Sequence, residues 1–160
     1  RIEVLVPDFR GDAAAIAALV EAAPDVIGHN LETVPRLYGS IRPEAEYRRS
    51  LMLLKTVRAL DAGLATKSGI MLGLGETVDE VVAVLDDLIS VGCTLLWLGQ
   101  YLQPDPACTP VERYITPDEF DSLRDKALCM GFRGVASAPF VRSSYHAGEL
   151  YEGLRTAALS

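Results

Sequence analysis

Three stretches carry the polar residues and glycines that could do chemistry, and each lies at or just after the end of a segment that reads as a β-strand. The first is His29-Asn30-Leu31-Glu32-Thr33. In an extended segment Asn30 and Glu32 alternate to the same side, so both side chains can enter one pocket. An amide and a carboxylate together suit a ribose, whose two hydroxyls need a donor and acceptors. A helix-capping role for one of them is the simpler reading, and a single His at a strand end is more often structural than a ligand. The second stretch, Lys67-Ser68-Gly69-Ile70-Met71-Leu72-Gly73-Leu74-Gly75-Glu76-Thr77, joins a strand to a capped helix through three glycines. It has no Gly-Lys-Ser/Thr ending of a phosphate-binding loop, and Val78 stands where a dinucleotide fingerprint would place its third glycine. It is either a tight turn or a backbone approach to a nucleoside at the rim of a sheet. The third, Arg142-Ser143-Ser144-Tyr145-His146-Ala147, gathers a cation, two hydroxyls, a phenol and an imidazole. No acid is placed to complete a triad with Ser and His, and a polar tail with a capping Ser accounts for it equally well.

The elements that must hold these residues alternate between short apolar runs and longer helical patterns, which is the signature of β/α units and a parallel sheet. Strands are expected over 2–6, 26–29, 66–72, 94–98 and 133–137. Helices are expected over about 12–22 and 44–62, the latter with Tyr47, Leu51, Leu54 and Val57 along one stripe. Two more helix starts are marked by capping boxes, Thr77-Val78-Asp79-Glu80 and Thr116-Pro117-Asp118-Glu119. Five strands are too few to close an eight-stranded barrel. The expected fold is therefore α/β, an open parallel sheet of about five strands with outer helices, forming part of a (β/α) barrel. Gln103 to Val111, with three prolines, is the longest clear loop.

Composition narrows the function. With 160 residues, one domain and a sizeable core are expected. A net charge of −7 argues against a nucleic-acid partner, because phosphate binding needs clustered Lys and Arg. No apolar run approaches the roughly 20 residues of a membrane span. Cys93, Cys108 and Cys129 form no closely spaced pair, which suggests thiols in a reducing compartment rather than a metal knuckle. The chain opens at Arg1, directly ahead of a strand pattern, and reads as a fragment whose targeting is not visible.

Taken in order, the stretches resemble lipoyl synthase, a family of the radical S-adenosylmethionine superfamily, over nearly the whole chain. The match runs through Val4-Leu5-Val6-Pro7-Asp8-Phe9-Arg10-Gly11-Asp12, His29-Asn30-Leu31-Glu32-Thr33-Val34-Pro35, Thr66-Lys67-Ser68-Gly69 and Gly73-Leu74-Gly75-Glu76-Thr77. It continues with Gly99-Gln100-Tyr101-Leu102-Gln103-Pro104 and closes with Pro139-Phe140-Val141-Arg142-Ser143-Ser144-Tyr145-His146. The resemblance implies an enzyme that inserts two sulfur atoms into an octanoyl group carried on a protein lysine. Its cofactors would be S-adenosylmethionine and two [4Fe–4S] clusters, held by two cysteine triads that lie upstream of the region present here. Residues 1–160 would then be the C-terminal part of a radical S-adenosylmethionine partial barrel, with 138–160 as its tail.

The resemblance also assigns residues. Asn30 and Glu32 fall on the ribose-contacting strand end. Ser50 and Lys67 are expected beside the methionyl group of S-adenosylmethionine, and Gln100 near its adenosine. Ser144 matches a serine that ligates the auxiliary cluster, the one consumed as sulfur source. Arg142 is the expected catalytic residue, ordering that cluster or the substrate. The implied partners are an octanoylated lipoyl-carrier protein or domain and an electron donor such as ferredoxin or flavodoxin, in a bacterial cytoplasm or an organelle matrix. Three positions depart from the pattern: Ala138 replaces a glycine, Ala107-Cys108-Thr109 replaces a loop that commonly carries histidines, and Trp97 replaces a smaller side chain. A sulfur-inserting enzyme of the biotin synthase type and a non-catalytic truncated binding module are the alternatives. The closing Arg-Ser-Ser-Tyr segment weighs against the first, and two upstream cysteine triads would exclude the second.

Overall fold

A computed structural model of the chain describes residues 1–144. Its strands are β1 (Glu3–Leu5), β2 (Val26–Gly28), β3 (Ala65–Leu72), β4 (Leu95–Gln100) and β5 (Gly134–Ser137). All neighbours are parallel and the order across the sheet is β1-β2-β3-β4-β5, an open five-stranded arrangement of the kind the alternating pattern implies. The helices are α1 (Ala13–Glu21), the short α2 (Tyr38–Ile41), α3 (Tyr47–Leu60), α4 (Val78–Ser90) and α5 (Pro117–Met130). The tail expected over 138–160 is described as far as Ser144, so Tyr145 and His146 lie outside the described residues.

Both expected capping boxes form. Thr77 accepts from the Glu80 backbone N–H while Glu80 returns a bond to the Thr77 N–H, and Thr116 and Glu119 do the same at α5. The Arg36 guanidinium and the Thr77 backbone N–H hold Glu80 down at about 2. Arg113 and the Thr116 N–H do the same for Glu119. These boxes fix where two helices leave the C-terminal rim of the sheet, which is where the polar stretches converge.

Period-two alternation divides the strand residues between two layers. On the outer side Ile27, Ile70, Leu72, Leu96 and Leu98 pack with Leu53, Leu54, Val57, Leu85, Leu88 and Phe120 from the helices. On the inner side a small separate cluster of Val26, Ala65 and Leu95 closes one end of the sheet. Beyond it the inner positions mix polar and small residues with Leu5, Met71 and Trp97, and the site lies there.

Candidate functional site

A cavity of about 490 Å³ opens on the inner face. Glu3 and Leu5 of β1, Met71 of β3 and Trp97 of β4 form its strand walls, Asn30 and Glu32 come from the loop after β2, and Arg142, Ser143 and Ser144 close it from the segment after β5. Asn30, Glu32, Arg142 and Ser144, all singled out from sequence, therefore share one space. Ser50, Lys67 and Gln100 do not line it.

Asn30 and Glu32 reach the cavity by different means than a simple extended alternation. Glu32 adopts φ +67, a left-handed conformation that non-glycine residues rarely take. Its backbone is held there by two bonds to β3, with its N–H given to Gly69 (2.9 Å) and its carbonyl accepting from Met71 (2.9 Å). From behind, Arg42 donates to the carbonyls of Asn30 (3.1 Å) and Leu31 (3.0 Å), and Tyr38 donates to Leu31 (2.8 Å). Strain of this sort persists only where the surroundings over-determine it. Burial raises the Glu32 carboxyl above its ordinary value, against the opposing effects of the Asn30 side chain and the Arg42 charge. A carboxylate so placed favours ligand hydroxyls that donate to it. Nothing in the sequence marked Arg42 as the clamp on this loop.

The remaining expected ligand-binding residues have other partners. Ser50, buried on α3, bonds His29 Nε2 at 2.8 Å. His29 Nδ1 lies 2.9 Å from the Val6 carbonyl, which can only accept, so Nδ1 carries the proton and Nε2 accepts from the Ser50 hydroxyl. Burial lowers the His29 pKa, keeping the ring neutral. Lys67 does face inward but lies deeper, 1% exposed, with its ammonium on the Glu3 carboxylate at 2.9 and 3.2 Å and on the Ser143 carbonyl. Gln100 points to the outer layer: its amide donates to the Tyr101 and Arg113 carbonyls (both 3.0 Å) and accepts from the Ile115 N–H (2.8 Å). Gln100, expected near the adenosine of the same ligand, instead faces away from the cavity that Asn30 and Glu32 line, because one residue of register reverses a strand side chain's direction. Gln100 instead pins the 101–116 connection against β4.

The glycine-rich turn resolves in favour of the structural reading. Gly73 and Leu74 give their N–H groups to the two oxygens of Glu76, at 2.6 and 2.9 Å, so the turn's own carboxylate fills the position an anion would take. Gly73 has φ +100, and a Cβ there would strike Gln100 and the Arg113 carbonyl.

The segment after β5 reaches the inner face because Gly99 admits it; a Cβ at Gly99 would collide with the Val141 carbonyl. Arg142 donates through Nη1 to the Val141 carbonyl (2.7 Å), which aims the guanidinium along the cavity wall. Ser144 is exposed at the cavity's rim. The donor set suits a nucleoside: an amide, a desolvated carboxylate and a cation face apolar walls of Leu5, Met71 and Trp97. It does not by itself suit an iron–sulfur cluster. Among the described residues no three His, Cys, Asp or Glu converge, Cys108 and Cys129 are exposed singly, and burial pushes the Cys93 thiol up to about 12.

Comparison with known proteins adds the lineage. The chain is 59% identical over 152 residues to a lipoyl synthase of Citrifermentans bemidjiense, covering 95% of this chain and 52% of that protein. It is 60% identical over 146 residues to a lipoyl synthase of Geotalea uraniireducens, covering 91% and 51%. It is 56% identical over 147 residues to a lipoyl synthase of Chlorobium phaeovibrioides, covering 92% and 51%. The chain thus spans about half the length of the curated relatives it matches. The radical SAM superfamily profile matches residues 1–88, more than half of the 160, and the chain belongs to the radical SAM superfamily.

Proposed function

We propose that this chain is the C-terminal half of a lipoyl synthase and carries the ligand-facing wall of its active site. The observation that carries the reading is the convergence of Asn30, Glu32, Arg142 and Ser144 on one cavity, in a chain whose relatives at 54–60% identity are named lipoyl synthase. The substrate would be an octanoyl group on a carrier protein or domain, with ferredoxin or flavodoxin as electron donor, in a bacterial cytoplasm or an organelle matrix. Among the described residues no helix is long and apolar enough to cross a membrane.

In this reading Asn30 and Glu32 hold the ribose of S-adenosylmethionine, the amide as donor and the carboxylate as acceptor. When bound, S-adenosylmethionine supplies the 5′-deoxyadenosyl radical that removes hydrogen from an unactivated carbon. The chain's residues orient the ligand and exclude water: Leu5, Met71 and Trp97 give an apolar wall, and Arg142 gives a fixed positive charge. Ser50 and Lys67 act indirectly, Ser50 by donating to His29 Nε2 and holding the ring in place, and Lys67 by tying Glu3 and Ser143 together behind the cavity. Two [4Fe–4S] clusters need ligands beyond those described here, and among the described residues Ser144 is the candidate that the family resemblance names, an oxygen ligand of modest affinity for iron.

The test uses the full-length, cluster-bearing protein with an octanoylated carrier peptide, S-adenosylmethionine and a reductant. Lipoyl product and 5′-deoxyadenosine are measured together. Wild type should form both, Glu32→Ala should lose both through weaker S-adenosylmethionine binding, and Ser144→Ala should release 5′-deoxyadenosine while losing product. Failure of wild type to lipoylate the peptide would overturn the assignment. Unchanged lipoylation by Ser144→Ala would remove that residue from the ligand set.

A further inference from the structure

A primary amide has a donor end and an acceptor end, and turning it over exchanges them. At Asn30 the choice is made by a neighbour the reaction itself does not call on. The Trp97 indole Nε1–H, which can only donate, lies 2.9 Å from Asn30 Oδ1 in a buried contact. The oxygen is therefore held toward β4 and the NH₂ group faces Glu32, in keeping with the bond from the Asn30 side chain that favours the charged Glu32 carboxylate. The reversed amide would set an N–H against the indole N–H and an oxygen against a carboxylate, losing two hydrogen bonds in a space with little water to replace them.

The indole is itself fixed. Trp97 stands in register with Gly69 on β3, and a Cβ at Gly69 would run into the ring. Glycine at 69 thus makes the berth the indole occupies, and Arg42 holds the Asn30 backbone carbonyl from the opposite side. Main chain and amide are each anchored by a separate donor before any ligand arrives, so the ordering cost falls on folding rather than on binding.

We propose that Trp97 is a positioning residue for the cavity's ligand: through its indole N–H it presents the donor end of Asn30 to the ribose-binding side. This rests on the reading that Asn30 and Glu32 hold the nucleoside. It makes Trp97 a determinant of affinity even though the reacting atoms need not touch it.

The experiment titrates S-adenosylhomocysteine into wild type, Trp97→Phe, Asn30→Ala and the double variant by calorimetry. Phenylalanine keeps a ring over Gly69 and removes only the donor. Loss of one buried hydrogen bond that orders the binding group should weaken binding about tenfold in Trp97→Phe. In the Asn30→Ala background the same change should do nothing further, because the group it positions is gone. Trp97 also gives an indole N–H resonance in a labelled sample, assigned by its disappearance in Trp97→Phe, which should shift when Asn30 is truncated. Wild-type affinity in Trp97→Phe, or equal weakening in both backgrounds, overturns the positioning role and leaves the cavity assignment standing. If wild type itself does not bind, the cavity assignment falls and the proposal with it. Should Trp97→Phe fail to fold, Asn30→Asp carries the test: it keeps an acceptor for the indole and has no donor for the ligand side. Affinity should then fall with the indole resonance still in its bonded position, and unchanged affinity overturns the role.

Discussion

On the outer face of the sheet, Ile27, Ile70, Leu96 and Leu98 are sealed against the apolar side chains of the helices. On the inner face of the same strands stand Glu3, Lys67, Gly69, Trp97 and Gly99, joined by an ion pair, an indole–amide bond and two close backbone or ring approaches. The outer face tolerates exchange of one aliphatic residue for another of similar volume. The inner face is specified by the chemistry of single atoms, so its residues are replaceable only in pairs. Stability and ligand handling are thereby assigned to opposite sides of one layer.

The largest effect should come from the outer face. Leu98→Ala leaves a cavity beneath the helices and should cost about 2–5 kcal/mol in urea unfolding, with nucleoside affinity of the folded fraction unchanged. A parallel loss of affinity at temperatures where the variant is fully folded would break the division between faces. Next comes Gly69→Ala, whose new Cβ meets the Trp97 indole. Forcing the ring from its berth should cost roughly 1–3 kcal/mol, and adding Trp97→Thr should recover most of the stability without recovering affinity. If the second change does not rescue the first, the two residues are not a matched pair.

The smallest effect has the opposite sign. Burial raises Glu32 above its ordinary carboxyl value, the Asn30 bond and Arg42 charge offsetting only part of it. The folded state then holds the proton more tightly than the unfolded chain, so stability is lost as pH rises from the ordinary value through the raised one. Glu32→Gln removes that penalty. It should be slightly more stable than wild type at about pH 7, with the difference vanishing below about pH 4, where the carboxyl is neutral in both states. Thermal melts across that range test the sign, and greater wild-type stability at neutral pH would show that Glu32 is better solvated than its position implies.

Legibility from sequence followed the same division. The strand pattern and both capping boxes were readable because burial periodicity and capping are local, and they placed all five strands within a residue or two of their positions. Asn30, Glu32, Arg142 and Ser144 were readable as polar residues at strand ends. Gln100 was not, since its role depends on which face a single strand residue takes, and the 101–116 connection that its amide pins has no local signature. In the sequence Trp97 stands out only by its size, because its partner Gly69 is distant in sequence and meets it through register alone. Arg42 and the short helix α2 beside it carry no motif at all. Their signal is the need to hold Glu32 at a positive φ, which exists only once the chain has folded.

Strand order matches chain order throughout this sheet. Each strand pairs with the one before it in the chain, so no strand has to wait for a later one to find its first partner. One contact that reaches across this order is the bond from the Lys67 ammonium to the Ser143 carbonyl, 76 residues away. Its loop is long and its closure must wait for β4 and β5. Lys67 is accordingly the late latch of assembly: the core can form as synthesis proceeds, while the inner cavity acquires its shape only when residue 143 arrives to seal it.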